Sequence, residues 1–152
     1  MNSVLFVCTA NICRSPMAEG LMKIIVRERE EPWLIQSAGV WAYANQPAAI
    51  NTIKILDEFG IDLSRHLSKS VSEDFIEIYN LILVMEKNHK ETLATAFPDR
   101  SSKIFMLSEM EGSIKDIHDP IGGTIADFRS MAEQINKILK NHIERIHKLS
   151  SN

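Results

Sequence analysis

The chain has 152 residues, 45% of them hydrophobic and 24% charged, with a formal net charge of −3. That length predicts one domain, residues 1–152, with a real core, and that composition is of the soluble globular kind. The mild acidity and the lack of any Lys/Arg cluster exclude a nucleic-acid footprint. No basic leader or long apolar segment points to a signal peptide or a membrane span.

The first apolar run, Val4-Leu5-Phe6-Val7, reads as a short buried strand. It leads into Cys8-Thr9-Ala10-Asn11-Ile12-Cys13-Arg14-Ser15-Pro16. A helical pattern follows from Met17 to Glu30, with Leu21, Ile24 and Ile25 on one face. Trp33 to Gln36 reads as the second strand, and Ser37-Ala38-Gly39 turns out of it. Trp41 and Tyr43 come next, in a loop expected to border any pocket built at the strand ends.

A helix is expected from Pro47 to Gly60, with Ile50, Ile53, Leu56 and Phe59 facing inward and Gly60 closing it. Ser72 to Tyr79 begins with a Ser cap and an acidic first turn. Leu81 to Met85 is the third strand, Lys87 to Ala96 a helix ended before Pro98, and Lys103 to Leu107 the fourth strand. A loop then carries Asp116 and Asp119-Pro120-Ile121-Gly122-Gly123. Thr124 to about His147 reads as one helix, with Phe128, Met131, Ile135, Ile138 and Leu139 docking on the sheet. Leu149 to Asn152 are expected to fray.

Strands alternating with helices imply an α/β fold with a parallel sheet and helices on both faces. Ligands of such folds bind beyond the carboxyl ends of the strands, where Cys8 stands. The segment from Cys8 to Arg14 is a short loop that ends at a helix start. Free N–H groups there, with the helix dipole behind them, bind an anion, and successive loop N–H groups make a nest for phosphate oxygens. The planar fork of Arg14 grips two such oxygens at once, which a lysine cannot do. Cys8 lies at the bottom of this positive field, which favours the thiolate, the competent nucleophile for phosphorus. Ser15 is placed to donate a hydrogen bond to it, and Asn11 is a residue type that tolerates positive φ in a tight loop.

These residues resemble the signature of the low-molecular-weight protein-tyrosine phosphatase family, Cys-x-Gly-Asn-x-Cys-Arg-Ser-Pro. The match covers Cys8, Asn11, Cys13, Arg14, Ser15 and Pro16. Ala10 stands where the family usually has glycine, so some backbone strain is expected there. Ser37-Ala38-Gly39, the third strand and Asp119-Pro120 extend the likeness over nearly the whole chain. The resemblance implies a three-layer fold around a four-stranded parallel sheet. It also implies a phosphoprotein substrate, nucleophilic Cys8, phosphate-binding Arg14 and Asp119 as general acid. Residues Thr9, Ala10, Asn11, Ile12, Cys13 and Ser15 form the rest of the phosphate site, with Trp41 and Tyr43 as aromatic walls. Spacing alone leaves Asp116 as a competitor for the acid. The resemblance further implies a reversible Cys8–Cys13 disulfide and a bracing role for Ser37 and His66.

Two features divide the expectation for substrate. The Asp119-Pro-Ile-Gly-Gly-Thr-Ile loop resembles the protein-arginine-phosphatase branch of the family. That branch places threonine where this chain has Ile12, the residue usual in tyrosine-specific members. Because the cradle touches the reacting phosphate, phosphotyrosine is expected. An arsenate reductase shares the fold but relays oxidation through further cysteines, and none follows Cys13 here. The two cysteines suit a reducing cytosol, and one C-x4-C pair with scattered histidines provides too few ligands for zinc. No cofactor is expected, and the sequence does not specify an oligomeric state.

Overall fold

The computed structural model describes residues 1–151. Its sheet has four parallel strands in the order β2-β1-β3-β4: β1 Asn2–Cys8, β2 Trp33–Gly39, β3 Leu81–Val84 and β4 Ile104–Met106. Every expected strand is present. β1 and β2 run further than the apolar runs alone indicated, because their polar ends, Asn2, Ser3 and Ser37, are buried and paired in the ladder.

Side-chain alternation along β1 divides the core into two layers. Val4, Phe6 and Cys8 face α1 (Arg14–Val26), α2 (Ile50–Glu58), α5 (Ile125–Asn141) and α6 (Ile143–Ser150). Leu5 and Val7 face α3 (Glu73–Ile78) and α4 (Lys87–Ala96). The three-layer arrangement is therefore as the resemblance implied. Phe128, Met131, Ile135, Ile138 and Leu139 of α5 are all buried, as their spacing predicts. Ser72 caps α3 by accepting from the Phe75 N–H, and α4 occupies the predicted range.

The differences have physical causes. The first helix begins at Arg14 and stops at Val26, so Pro16 lies in its first turn. The second begins only at Ile50 and buries Thr52, Ile55 and Leu56, leaving Ile50 71% and Phe59 43% exposed. Ala49, at a ψ of 139°, is still outside helical values, and Thr52 takes a buried place with its hydroxyl on the Cys13 carbonyl at 3.3 Å. Gly60 does close this helix, at a φ of 81°. The long C-terminal helix is two, broken at His142, whose φ of −123° departs from helical values.

The expected fraying of the C-terminus is overturned for residues 149–150, which are helical, with Ser150 buried. Asn152 lies outside the described residues. Asn2 explains the order: its Nδ2 donates to the His147 carbonyl at 2.9 Å and to Ser150 Oγ at 2.8 Å. Among the described residues no helix is long and apolar enough to cross a membrane.

Candidate active site

The loop from Thr9 to Cys13 closes at the carboxyl edge of β1, and its shape is set by Asn11. This residue is fully buried and holds a left-handed φ of 60°. The positive φ thus falls on Asn11, and the strain expected at Ala10 is absent. Asn side chains tolerate this region because they bond locally. Here Nδ2 donates to Ser15 Oγ and to Ser37 Oγ, both at 2.9 Å, and Oδ1 accepts from the Lys69 N–H at 3.1 Å. The Asn11 carbonyl accepts from His66 Nε2 at 2.8 Å. Ser37 and His66 therefore hold the loop, as the resemblance implied.

Gly39 lets the second strand approach. A Cβ at this position would sit 2.5 Å from the Thr9 carbonyl oxygen, so a larger residue would push the loop away. The close approach allows the Val40 and Trp41 N–H groups to bond the Cys8 and Thr9 carbonyls, each at 2.9 Å. From α2, the Ala49 N–H bonds the Ile12 carbonyl at 2.8 Å. The loop is thus fixed from three sides before any ligand arrives, which is the condition for electrostatic preorganisation.

At its base lies Cys8, 2% exposed, with Sγ 2.9 Å from Ser15 Oγ. Ser15 Oγ accepts from Asn11, and its one hydrogen has two acceptors in reach, the Cys8 sulfur at 2.9 Å and the Ala38 carbonyl at 3.3 Å. Cys13 has a different environment. Burial, then the nearby Asp119 carboxylate and Cys8, push its thiol up to about 12. Cys13 therefore stays protonated, and the two cysteines are not interchangeable. Both are free thiols.

Arg14 is 2% exposed, and both terminal nitrogens of its guanidinium have partners. Nη1 donates to Glu86 Oε2 at 2.7 Å and to the Ile117 carbonyl at 2.8 Å. Nη2 lies 3.5 Å from both Thr9 Oγ1 and Asp119 Oδ2. The two candidate acids are separated by geometry. Asp116 turns away and accepts the Lys87 N–H at the start of α4. Asp119 is held over the cradle by Arg14, with its Oδ1 accepting the Ile121 N–H at 3.1 Å.

Cys8, Ala10, Ile12, Cys13, Arg14, Asp119 and Ile121 line one small pocket. Its walls are the isoleucines. Trp41 and Tyr43 do not join this lining and stand 82% and 83% exposed beside it, although the Trp41 backbone is bonded to the loop.

Three participants escaped the sequence reading. Glu86 is the main partner of Arg14, and its position directly after the third strand was the available signal, since sites gather at strand ends. His89 bonds Thr9 Oγ1 at 2.8 Å from α4. Glu19, 8% exposed, accepts from Ser37 Oγ and from Lys23 Nζ, both at 2.7 Å, and anchors the network behind Asn11. Among the described residues no group of three or more His, Cys, Asp and Glu side chains is arranged to hold a metal ion.

Residues 3–152 match the family model described as Low molecular weight phosphotyrosine protein phosphatase. The chain is 35% identical to the protein-arginine-phosphatase of Bacillus subtilis (strain 168), over 95% of its own length and 97% of that protein. It is 31% identical to a probable low molecular weight protein-tyrosine-phosphatase of Ralstonia nicotianae, covering 98% and 99%. Among solved structures it is similar to the low molecular weight protein tyrosine phosphatase from T. tengcongensis. There the TM-score is 0.90 and the identity 36%, with 95% of this chain and 99% of the other covered.

Proposed function

The chain belongs to the low molecular weight phosphotyrosine protein phosphatase family and is a phosphoprotein phosphatase, and we propose that its preferred substrate is phosphotyrosine, hydrolysed through a cysteinyl-phosphate. The observation that carries the reading is one pocket where Cys8, Arg14 and Asp119 meet between Ile12 and Ile121. The two isoleucines give the pocket apolar surface of the kind that packs against a phenyl ring. A phosphorylated guanidinium would need several acceptors along the same wall, and among the described residues the only carboxylate lining this one is Asp119.

The phosphoryl dianion enters the cradle and takes Arg14 Nη2 and the loop N–H groups as donors, displacing Asp119 from the guanidinium. Cys8 Sγ attacks phosphorus, a P–S bond forms and the P–O bond to the tyrosyl oxygen breaks. Cys8 attacks as the thiolate, its proton having passed to Asp119 once that carboxylate is freed from Arg14, and Asp119 gives the proton to the leaving oxygen. Water then attacks the cysteinyl-phosphate, Asp119 takes its proton, and the thiolate leaves with a hydrogen bond from Ser15. Arg14 and the loop amides stabilise the equatorial oxygens in both steps, and this is the main source of the rate. A reducing compartment such as the cytoplasm keeps Cys8 and Cys13 as thiols and suits this chemistry.

Asp119→Asn is expected to lower kcat on a phosphotyrosine peptide by about 10²–10⁴-fold, the range for losing a general acid. Asp116→Asn should cost far less, and a larger loss for Asp116→Asn would reassign the acid.

A second reading, phosphoarginine, is favoured by the 35% identity to a protein-arginine-phosphatase. Turnover of matched phosphotyrosine and phosphoarginine peptides, with Ile12→Thr alongside, decides between them. We expect the unaltered protein to prefer phosphotyrosine and Ile12→Thr to erode that preference by about tenfold, the value of losing apolar contact in a pocket. Preference of the unaltered protein for phosphoarginine would overturn the reading.

A further inference from the structure

Resting on the cradle reading above, we propose that His89 is a positioning residue that aligns Arg14 through Thr9. His89 sits in the first turn of α4 and is 1% exposed. The reaction as derived does not use it. Its Nδ1 accepts the Glu86 N–H at 3.1 Å, so that nitrogen carries no proton. The proton is therefore on Nε2, which donates to Thr9 Oγ1 at 2.8 Å.

Thr9 Oγ1 is also within 3.5 Å of Arg14 Nη2, and Arg14 Nη1 returns to the Glu86 carboxylate at 2.7 Å. The four residues close a ring: Thr9 to His89, His89 to Glu86, Glu86 to Arg14, Arg14 to Thr9. One guanidinium nitrogen is fixed by a carboxylate, and the other is set by a hydroxyl that the histidine holds in place. The Thr9 carbonyl is tied independently to the Trp41 N–H. Thr9 is thus clamped at both oxygens, immediately after the nucleophile.

The ring requires a neutral imidazole, because a proton on Nδ1 would face the Glu86 N–H. Burial first, and then the Arg14 charge, hold the proton affinity of His89 below that of an ordinary histidine. The carboxylates of Glu86 before α4, and of Asp116 and Asp119 in the loop before α5, act in the opposite direction.

Two amide substitutions separate the bonds. His89→Asn can place an oxygen near the Nδ1 position and accept from Glu86, but does not reach Thr9. His89→Gln can carry a donor to the Nε2 position. Thr9→Val removes the acceptor. On 4-nitrophenyl phosphate, His89→Asn and Thr9→Val should each lower kcat by about 3- to 10-fold, the worth of one hydrogen bond, with KM little changed. The double variant should lose no more than either single, since one interaction is removed twice. His89→Gln should return to within about threefold of the unaltered protein.

Calorimetric binding of orthovanadate, a tetrahedral phosphate analogue that becomes trigonal-bipyramidal when a thiolate adds to it, should follow the same pattern and needs no turnover. A parent protein without turnover would refute the phosphatase reading, and the vanadate cycle would still test the coupling. Additive losses in the double variant, or full kcat in His89→Asn, would overturn the proposal. If His89→Gln fails to fold, the Asn and Val cycle alone decides.

Discussion

Cys8→Ser is expected to lower phosphate release by at least about 10⁴-fold, the scale seen when a covalent catalyst loses its nucleophile. The substitution is close to isosteric, and Cys8 sits in a loop held by bonds that do not involve its sulfur: Val40 to the Cys8 carbonyl, Trp41 to Thr9, Ala49 to Ile12, and His66 to Asn11. The cradle should survive, and inorganic phosphate should still bind in calorimetry. The loss would therefore appear in kcat and not in folding. No neighbour can take over. A hydroxyl does not ionise at neutral pH, and Cys13 is held protonated by burial, with its thiol up at about 12. A Cys8→Ser protein that retains activity would end the mechanism outright.

Arg14→Lys should cost about 10²–10³-fold in kcat, the range for removing a preorganised donor to a developing oxyanion. The substitution keeps the charge, so a purely coulombic role would leave most of the activity. The geometry predicts otherwise. A single ammonium cannot reach Glu86 Oε2, the Ile117 carbonyl and a phosphate oxygen in three directions at once. A buried carbonyl left without a donor costs about 1–3 kcal/mol, so the urea midpoint should fall as well. Rates on phosphotyrosine peptide and a denaturation curve together read both effects. A lysine variant within about threefold of the parent kcat would show that charge, not the fork, carries the work.

The proposed catalytic trio, which the structure brings to one pocket, could be picked out in the sequence because each member is marked locally. Cys8 and Arg14 flank one loop between a strand and a helix, and Asp119 precedes a proline in a short loop. The four strands were legible for a similar reason, since buried parallel strands are short unbroken apolar runs. What the sequence concealed depends on distance along the chain. Glu86 and His89 meet Arg14 and Thr9 across 72 and 80 positions, and no local pattern marks such pairs. The phase of the second helix was also concealed. Ile50 and Phe59 look inward by periodicity, yet Thr52 takes the buried place because its hydroxyl bonds the Cys13 carbonyl at 3.3 Å. Trp41 and Tyr43 were read as walls from aromatic character alone, and tertiary structure leaves both rings exposed, outside the pocket lining.

The clasp of Asn2 on His147 and Ser150 has a consequence for the ribosome. The strand that ends at Cys8 is made before its partners, and its amino end waits for residues 145 and 148 positions later. Its two flanking strands also come from later in the chain. Closing such long loops is entropically costly and slow compared with local pairing. Until α6 has been made and docked, the nascent chain therefore carries the Cys8 thiol without a finished cradle around it, and activity is expected only after that step.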